Sequence, residues 1–149
     1  MKKFDLYPKY ADRKFAFFIK GQERATDFFK FDLNDKFLKY PILSLDYDTE
    51  FEDEMLNVFK DDYYYTASGI MLFSKNVSNI LSVMDQNSTF YSCHVKNNPV
   101  DIFALYKNVE LQSEYVIRDP TESTSYFFSE LFINLIEENH WNINYYELK

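Results

Sequence analysis

The residues of this chain that could do chemistry are quickly enumerated. Ser74 and Ser129 each follow an apolar run ending in phenylalanine, Ile70-Met-Leu-Phe73 and Tyr126-Phe-Phe128. That is where a nucleophile at the mouth of a helix would sit. A serine nucleophile needs a positioned base and an oxyanion hole. The only histidines are His94 and His140, and neither stands in such a context. Helix capping explains both serines: a hydroxyl there accepts from the orphan backbone amides of the first turn. Cys93 and His94 are adjacent, so on a strand they point to opposite faces and cannot cooperate. A single cysteine excludes an internal disulfide and any multi-cysteine metal site. With so few nitrogen and sulfur ligands, no zinc site is expected. The residues therefore point to no catalytic group, no metal and no cofactor, and to a protein that is not an enzyme.

The sharpest functional candidate is acidic and aromatic. Asp46, Asp48, Glu50, Glu52, Asp53 and Glu54 interleave with Tyr47 and Phe51, and Asp61, Asp62, Tyr63, Tyr64 and Tyr65 follow closely. The alternation Asp46, Asp48, Glu50 resembles part of a calcium loop, but the glycine of the sharp turn is missing. Carboxylates of this density suit a cationic protein surface, and tyrosines supply rigid hot-spot area. We take Asp46, Tyr47, Asp48, Glu50, Glu52, Asp53, Glu54, Asp61, Asp62 and Tyr63 to Tyr65 as the candidate partner-binding residues.

Charge distribution supports that choice. The net charge is −8, with ten Lys/Arg against six Asp/Glu in residues 1–40 and one against eight in residues 41–69. Direct nucleic-acid binding needs clustered cations and is not expected. A basic protein, such as a nuclease, would be steered toward the acidic segment. The first residues carry charges throughout, with no apolar stretch suited to a signal or membrane helix. A cytoplasmic location with no membrane contact is expected.

These residues must be positioned by a framework, and part of it is written twice. Residues 70–93 and 125–148 share one template: Phe-Ser, four residues, Asn and two aliphatics, eight residues, then an aromatic and Tyr. Val77, Ile80, Leu81 and Met84 fall at i, i+3, i+4 and i+7, one helical face. In the second copy, Leu131 or Phe132 with Leu135 and Ile136 make the inward face. Asn87 is expected to close the first helix as a left-handed cap. With only two glycines, asparagine should supply most left-handed turns. Outside the repeats, strands are expected at Lys14–Lys20, Thr26–Leu33, Pro41–Leu45, Thr89–Val95, Asp101–Lys107 and Ser113–Arg118. Lys20 to Ala25 should form a hairpin-type loop, and Glu52–Lys60 a short helix. The expected fold is α+β in one domain, residues 1–149: a central mixed, largely antiparallel sheet with two or three helices packed on it, containing the duplicated strand–Ser–helix–strand unit.

The repeats, with Phe90-Tyr-Ser-Cys-His-Val95, Phe103-Ala-Leu-Tyr-Lys107 and Leu111-Gln-Ser-Glu-Tyr-Val116 between and after them, resemble the immunity proteins of bacterial polymorphic toxin systems over residues 70–148. The resemblance implies a non-enzymatic protein that binds a cognate toxin domain and blocks it. Two other readings are an acidic nucleic-acid mimic or phage-type inhibitor of a DNA-binding protein, and a small hydrolase, which would need a pocket of convergent titratable groups.

Overall fold

The computed structural model describes residues 2–20, 22–31, 43–66, 68–96, 98–122 and 124–149. Among these residues, two sheets and four helices make the α+β fold. The strands are β1 (Lys3–Tyr7), β2 (Phe18–Ile19), β3 (Leu43–Asp46), β4 (Tyr63–Tyr64), β5 (Leu72–Ser74), β6 (Ser88–Val95), β7 (Asn98–Lys107), β8 (Val116–Ile117), β9 (Phe127–Phe128) and β10 (Asn144–Leu148). The helices are α1 (Gln22–Phe31), α2 (Glu52–Val58), α3 (Lys75–Met84) and α4 (Glu130–Asn139). A mixed six-stranded sheet runs β2-β3-β6-β7-β5-β4, and an antiparallel four-stranded sheet runs β10-β1-β9-β8.

The six-stranded sheet is covered on both faces over β4, β5 and the second half of β7, where period-two alternation sorts residues between two cores, and is open on one face toward β2 and β3, where Phe18, Ser44, Asp46 and His94 are exposed. Tyr64, Leu72, Cys93, Val95, Ile102 and Ala104 face one cluster, with Phe28 and Phe29 of α1 and Met55 and Val58 of α2. Tyr63, Phe73, Phe90 and Leu105 face the other, with Val77 and Leu81 of α3, Phe132 and Ile136 of α4, and Phe4, Leu6 and Phe128 of the four-stranded sheet. Phe73, fully buried, sits within ring contact of Tyr63, Phe90, Phe128 and Phe132, so it joins the two sheets.

Each repeat copy folds as a strand, a helix and a strand parallel to the first, with one antiparallel strand inserted between them. In the first copy the inserted strand is β7, between β5 and β6. In the second it is β1, between β9 and β10. Residues before the repeats are thus divided: β1 joins the sheet of the second copy, and β2, β3 and β4 join that of the first.

Both serines cap as expected. Ser74 Oγ accepts from Val77 N–H and Ser129 Oγ from Phe132 N–H, each at 3.4 Å. Ser74 also donates to Asp62 Oδ1 at 2.6 Å, and Ser129 donates to the Glu114 carbonyl. Of the expected inward face of α3, Val77 and Leu81 are buried and Ile80 packs against the core, whereas Met84 is exposed. On α4 the inward residue is Phe132 and Leu131 is exposed.

Several local expectations are corrected. Thr26–Phe31 is helical, not extended, and Gln22–Ala25 belongs to the same helix rather than to a hairpin loop. The spacing Ala25, Phe28, Phe29 is the i, i+3, i+4 signature of a helix, and it prevails over the two-point alternation of Phe29 and Phe31. Arg13–Phe15 is a 3-10 turn, because the Asp12 carboxylate accepts from Lys14 N–H and curls the chain before β2. Strand structure in the 113–118 segment is confined to Val116–Ile117, because Ser113 Oγ accepts from the amides of Tyr115 and Val116. The start of the third expected strand, Pro41-Ile42, lies outside the described residues, as do Leu33, Gly21 and Asn97; Leu43–Asp46 is extended.

Among the described residues, asparagine does not supply the left-handed turns. Among the described residues the positive φ values belong to Gly69 (77°) and His140 (54°), and His140 closes α4 through its N–H to the Ile136 carbonyl. Helix α3 closes instead at Asp85, in extended backbone. The chain turns at Asp12, Asp48, Asp85, Asn108 and Asp119 by accepting the amide two residues on. Such side-chain turns remove the need for a left-handed residue.

Candidate functional site

The acidic segment begins where β3 ends. Tyr47 turns inward and is buried, its ring edge-on to Phe17 and Phe59, and its hydroxyl donates to Glu52 Oε1 at 3.3 Å. Burial, and then the Glu52 charge, raise the Tyr47 pKa. Asp48 caps a 3-10 turn, Thr49–Phe51, by accepting from Glu50 N–H at 3.0 Å. That turn runs directly into α2, whose first turn carries Glu52, Asp53 and Glu54, where negative charge complements the helix dipole. Met55 and Val58 fasten α2 to the core.

The consequence is a segment pinned at Tyr47, Met55 and Val58 with its carboxylates turned outward. Asp46, Asp48, Glu50, Glu52, Asp53 and Glu54 are all exposed. Among the described residues the one ion pair joins Lys75 to Asp101 at 3.7 Å, so none of the six carboxylates is neutralised by a salt bridge. Lys14 engages this segment through the face of the Phe51 ring, at 5.7 Å.

Two apolar side chains that the sequence does not single out flank the carboxylates. Phe18, 45% exposed, is placed opposite Asp46 by the β2–β3 register. Leu56, 53% exposed, lies on the outward face of α2. The signal for Phe18 is alternation: Phe17 is buried beside it, so Phe18 must face out.

The second half of the candidate set is interior. Asp61, Asp62, Tyr63 and Tyr64 are buried, and Tyr65 is half-buried. The tyrosine run reads as a surface patch, but β4 is covered on both faces, so Tyr63 and Tyr64 enter different cores. Asp62 is a structural hub. Its Oδ1 accepts from Ser74 Oγ and from Asn76 Nδ2 at 3.3 Å, and its Oδ2 accepts from Asn142 N–H at 2.8 Å. The Tyr64 hydroxyl donates to the Asp61 carbonyl at 2.7 Å.

Asp61 is 4% exposed and its Oδ2 has no hydrogen-bond partner. Burial pushes its carboxyl pKa up to about 6, against the opposing pull of Lys9. A carboxyl whose folded pKa exceeds its unfolded one holds its proton more tightly in the native state. Its contribution to stability is full below pH 3.8 and is lost as pH rises to about 6. Asp61→Asn should therefore be neutral at pH 4 and gain about 1–2 kcal/mol over the parent at pH 7.5. Urea titrations at the two pH values measure this; an equal effect at both would contradict it.

His94 is exposed on β6 and Cys93 is buried beside it, on opposite faces as expected. Burial pushes the Cys93 thiol up to about 12, which leaves it unreactive. Among the described residues no three His, Cys, Asp or Glu side chains cluster as a metal site would require, and no helix is long and apolar enough to cross a membrane. Compared with protein-family models, curated proteins and solved structures, the chain matches none.

Proposed function

We propose that this protein binds and neutralises a cognate bacterial toxin domain, a basic protein such as a nuclease, through the exposed acidic segment 46–54 and its apolar flanks. The observation that carries the reading is that six unneutralised carboxylates stand on a segment pinned by Tyr47, Met55 and Val58. A rigid presentation lowers the ordering cost of association, and uncompensated charge of one sign favours a partner of the other. Phe18, Phe51 and Leu56 supply apolar contact beside the charges, as interface centres require. The toxin class comes from the resemblance of the repeats to polymorphic-toxin immunity proteins. On this reading the repeats are scaffold, and the working surface lies ahead of them.

The test is co-expression with any toxin domain found encoded beside this protein's gene, followed by gel filtration of the mixture. The parent chain should restore growth and co-elute. A variant with Asp46, Asp48, Glu50, Glu52, Asp53 and Glu54 changed to Asn or Gln should keep its fold, because all six are exposed, and should lose about 100-fold or more in affinity. No rescue and no complex with the parent chain would overturn the proposal. A complex with a host DNA-binding protein in place of the toxin would replace it with the nucleic-acid-mimic reading.

A further inference from the structure

A cleft of about 390 Å³ opens where the end of β1 and the start of β9 meet the segment leaving β4 and the last turn of α1. Its volume lies in the range of small-molecule sites, which are apolar with a few convergent polar groups. Tyr7, Tyr65, Met71 and Phe127 contribute to its lining.

Two donors stand on this cleft without acceptors. Tyr63 is 8% exposed, with its ring 5.0 Å from that of Phe73, yet its hydroxyl makes no hydrogen bond among the described residues. The neighbouring phenols are partnered: Tyr64 donates to the Asp61 carbonyl and Tyr126 to the Phe29 carbonyl. Among the described residues the one buried side-chain oxygen without a partner is Asp61 Oδ2, so the Tyr63 hydroxyl reaches the open cleft, where it can donate to a bound acceptor. The second donor is Lys30, on the last turn of α1. Its ammonium lies directly over Gly69, where a Cβ would come within 2.6 Å of Nζ, so the absence of a side chain at 69 gives the ammonium its place. No described carboxylate pairs with it.

Asp5 sets the charge limit. It also lines the cleft, but its oxygens are taken by Leu6 N–H at 2.8 Å and the Tyr146 hydroxyl at 3.1 Å. It remains a negative charge that a dianion would have to face at close range. A monoanion meets one cation and one neutral donor, with the repulsion halved.

We propose that this cleft binds a small carboxylate with a planar apolar body, the carboxylate accepting from the Lys30 ammonium and the Tyr63 hydroxyl and the body lying along the aromatic walls. A phosphate dianion is disfavoured by Asp5. The site is separate from the acidic segment, so its failure leaves the toxin-binding reading untouched, and the reverse holds too.

The experiment is a titration of the full chain with phenylacetate, with phenylacetamide as the uncharged control and phenyl phosphate as the dianion, followed by amide chemical shifts. Phenylacetate should give saturable shifts at Tyr63–Thr66 and Ser125–Phe127. Lys30→Met should weaken phenylacetate by about tenfold or more while leaving phenylacetamide unchanged. Tyr63→Phe, which removes one oxygen from an otherwise unchanged ring, should weaken it several-fold. The spectrum of each variant reports its own fold. Absence of saturable shifts with phenylacetate, tighter binding of phenyl phosphate, or undiminished phenylacetate binding in both variants would overturn the assignment.

Discussion

Arg118→Met should destabilise the protein by about 3–5 kcal/mol. Arg118 is 3% exposed, at the end of β8. One guanidinium nitrogen donates to the Lys107 carbonyl at 2.8 Å and another to the Lys30 carbonyl at 2.7 Å. The group also lies against the Tyr106 and Tyr126 rings, at 5.7 and 4.9 Å. It therefore ties the four-stranded sheet to β7 of the other sheet and to the end of α1. The Lys30 carbonyl is one of the last four of α1, which have no partner within the helix. Its neighbour, the Phe29 carbonyl, accepts from the Tyr126 hydroxyl. The last described turn of α1 is thus held by side chains from residues about 90 positions later. Methionine keeps much of the packing of the stem but leaves two carbonyls without donors. Lysine keeps the charge but offers no planar fork, so Arg118→Lys should recover less than half of the loss. Urea unfolding with an unchanged m-value measures both; a loss under about 1 kcal/mol for the methionine variant would contradict the account.

Asp62→Ala should cost about 3 kcal/mol. The carboxylate joins three pieces of chain: the N-cap Ser74, Asn76 in the first turn of α3, and the backbone of Asn142 just before β10. Removing it leaves the Ser74 hydroxyl and the Asn142 N–H with no acceptor. Ser74→Ala alone should cost only about 1 kcal/mol, as caps do. The double variant should be less destabilised than the sum, because one of the orphaned donors has gone with the serine. Thermal or urea unfolding of the four species gives the coupling; strict additivity would show that Asp62 and Ser74 act independently.

What could be read from the sequence was local. The caps at Ser74 and Ser129, the apolar stripes of α3 and α4 and the acidic first turn of α2 each follow from residues within a few positions of one another. The α+β class follows from their alternation with strands. What could not be read depends on distant partners. The short strand β1 gains its sheet only by meeting β9 and β10 near the other end of the chain, so nothing near it announces a second sheet. Asp62 reads as one more surface acid until Asn142 is brought to it. The Tyr63 to Tyr65 run reads as a contact patch because burial on both faces removes the alternation that marks a half-covered strand. Half of the candidate surface stands outside, at 46–54. The other half proves to be the interior on which the first half rests, and Phe18 joins the surface only through the β2–β3 register.

The insertion of β1 between β9 and β10 has a kinetic meaning as well. During synthesis β1 emerges first, with Phe4 and Leu6 ready to be buried, but its earliest sheet partner, Phe128, lies 124 residues later and the rest of its register lies at 144–148. The sheet of the first repeat copy, by contrast, has all its strands once β7 has left the ribosome. Folding should therefore be vectorial, with the six-stranded sheet assembling around β6 and β7 while β1 waits as an unpaired strand. The delay exposes one amphipathic strand to wrong partners for most of translation, and the charges beside and within it, Lys2, Lys3 and Asp5, are the local means of keeping it from them.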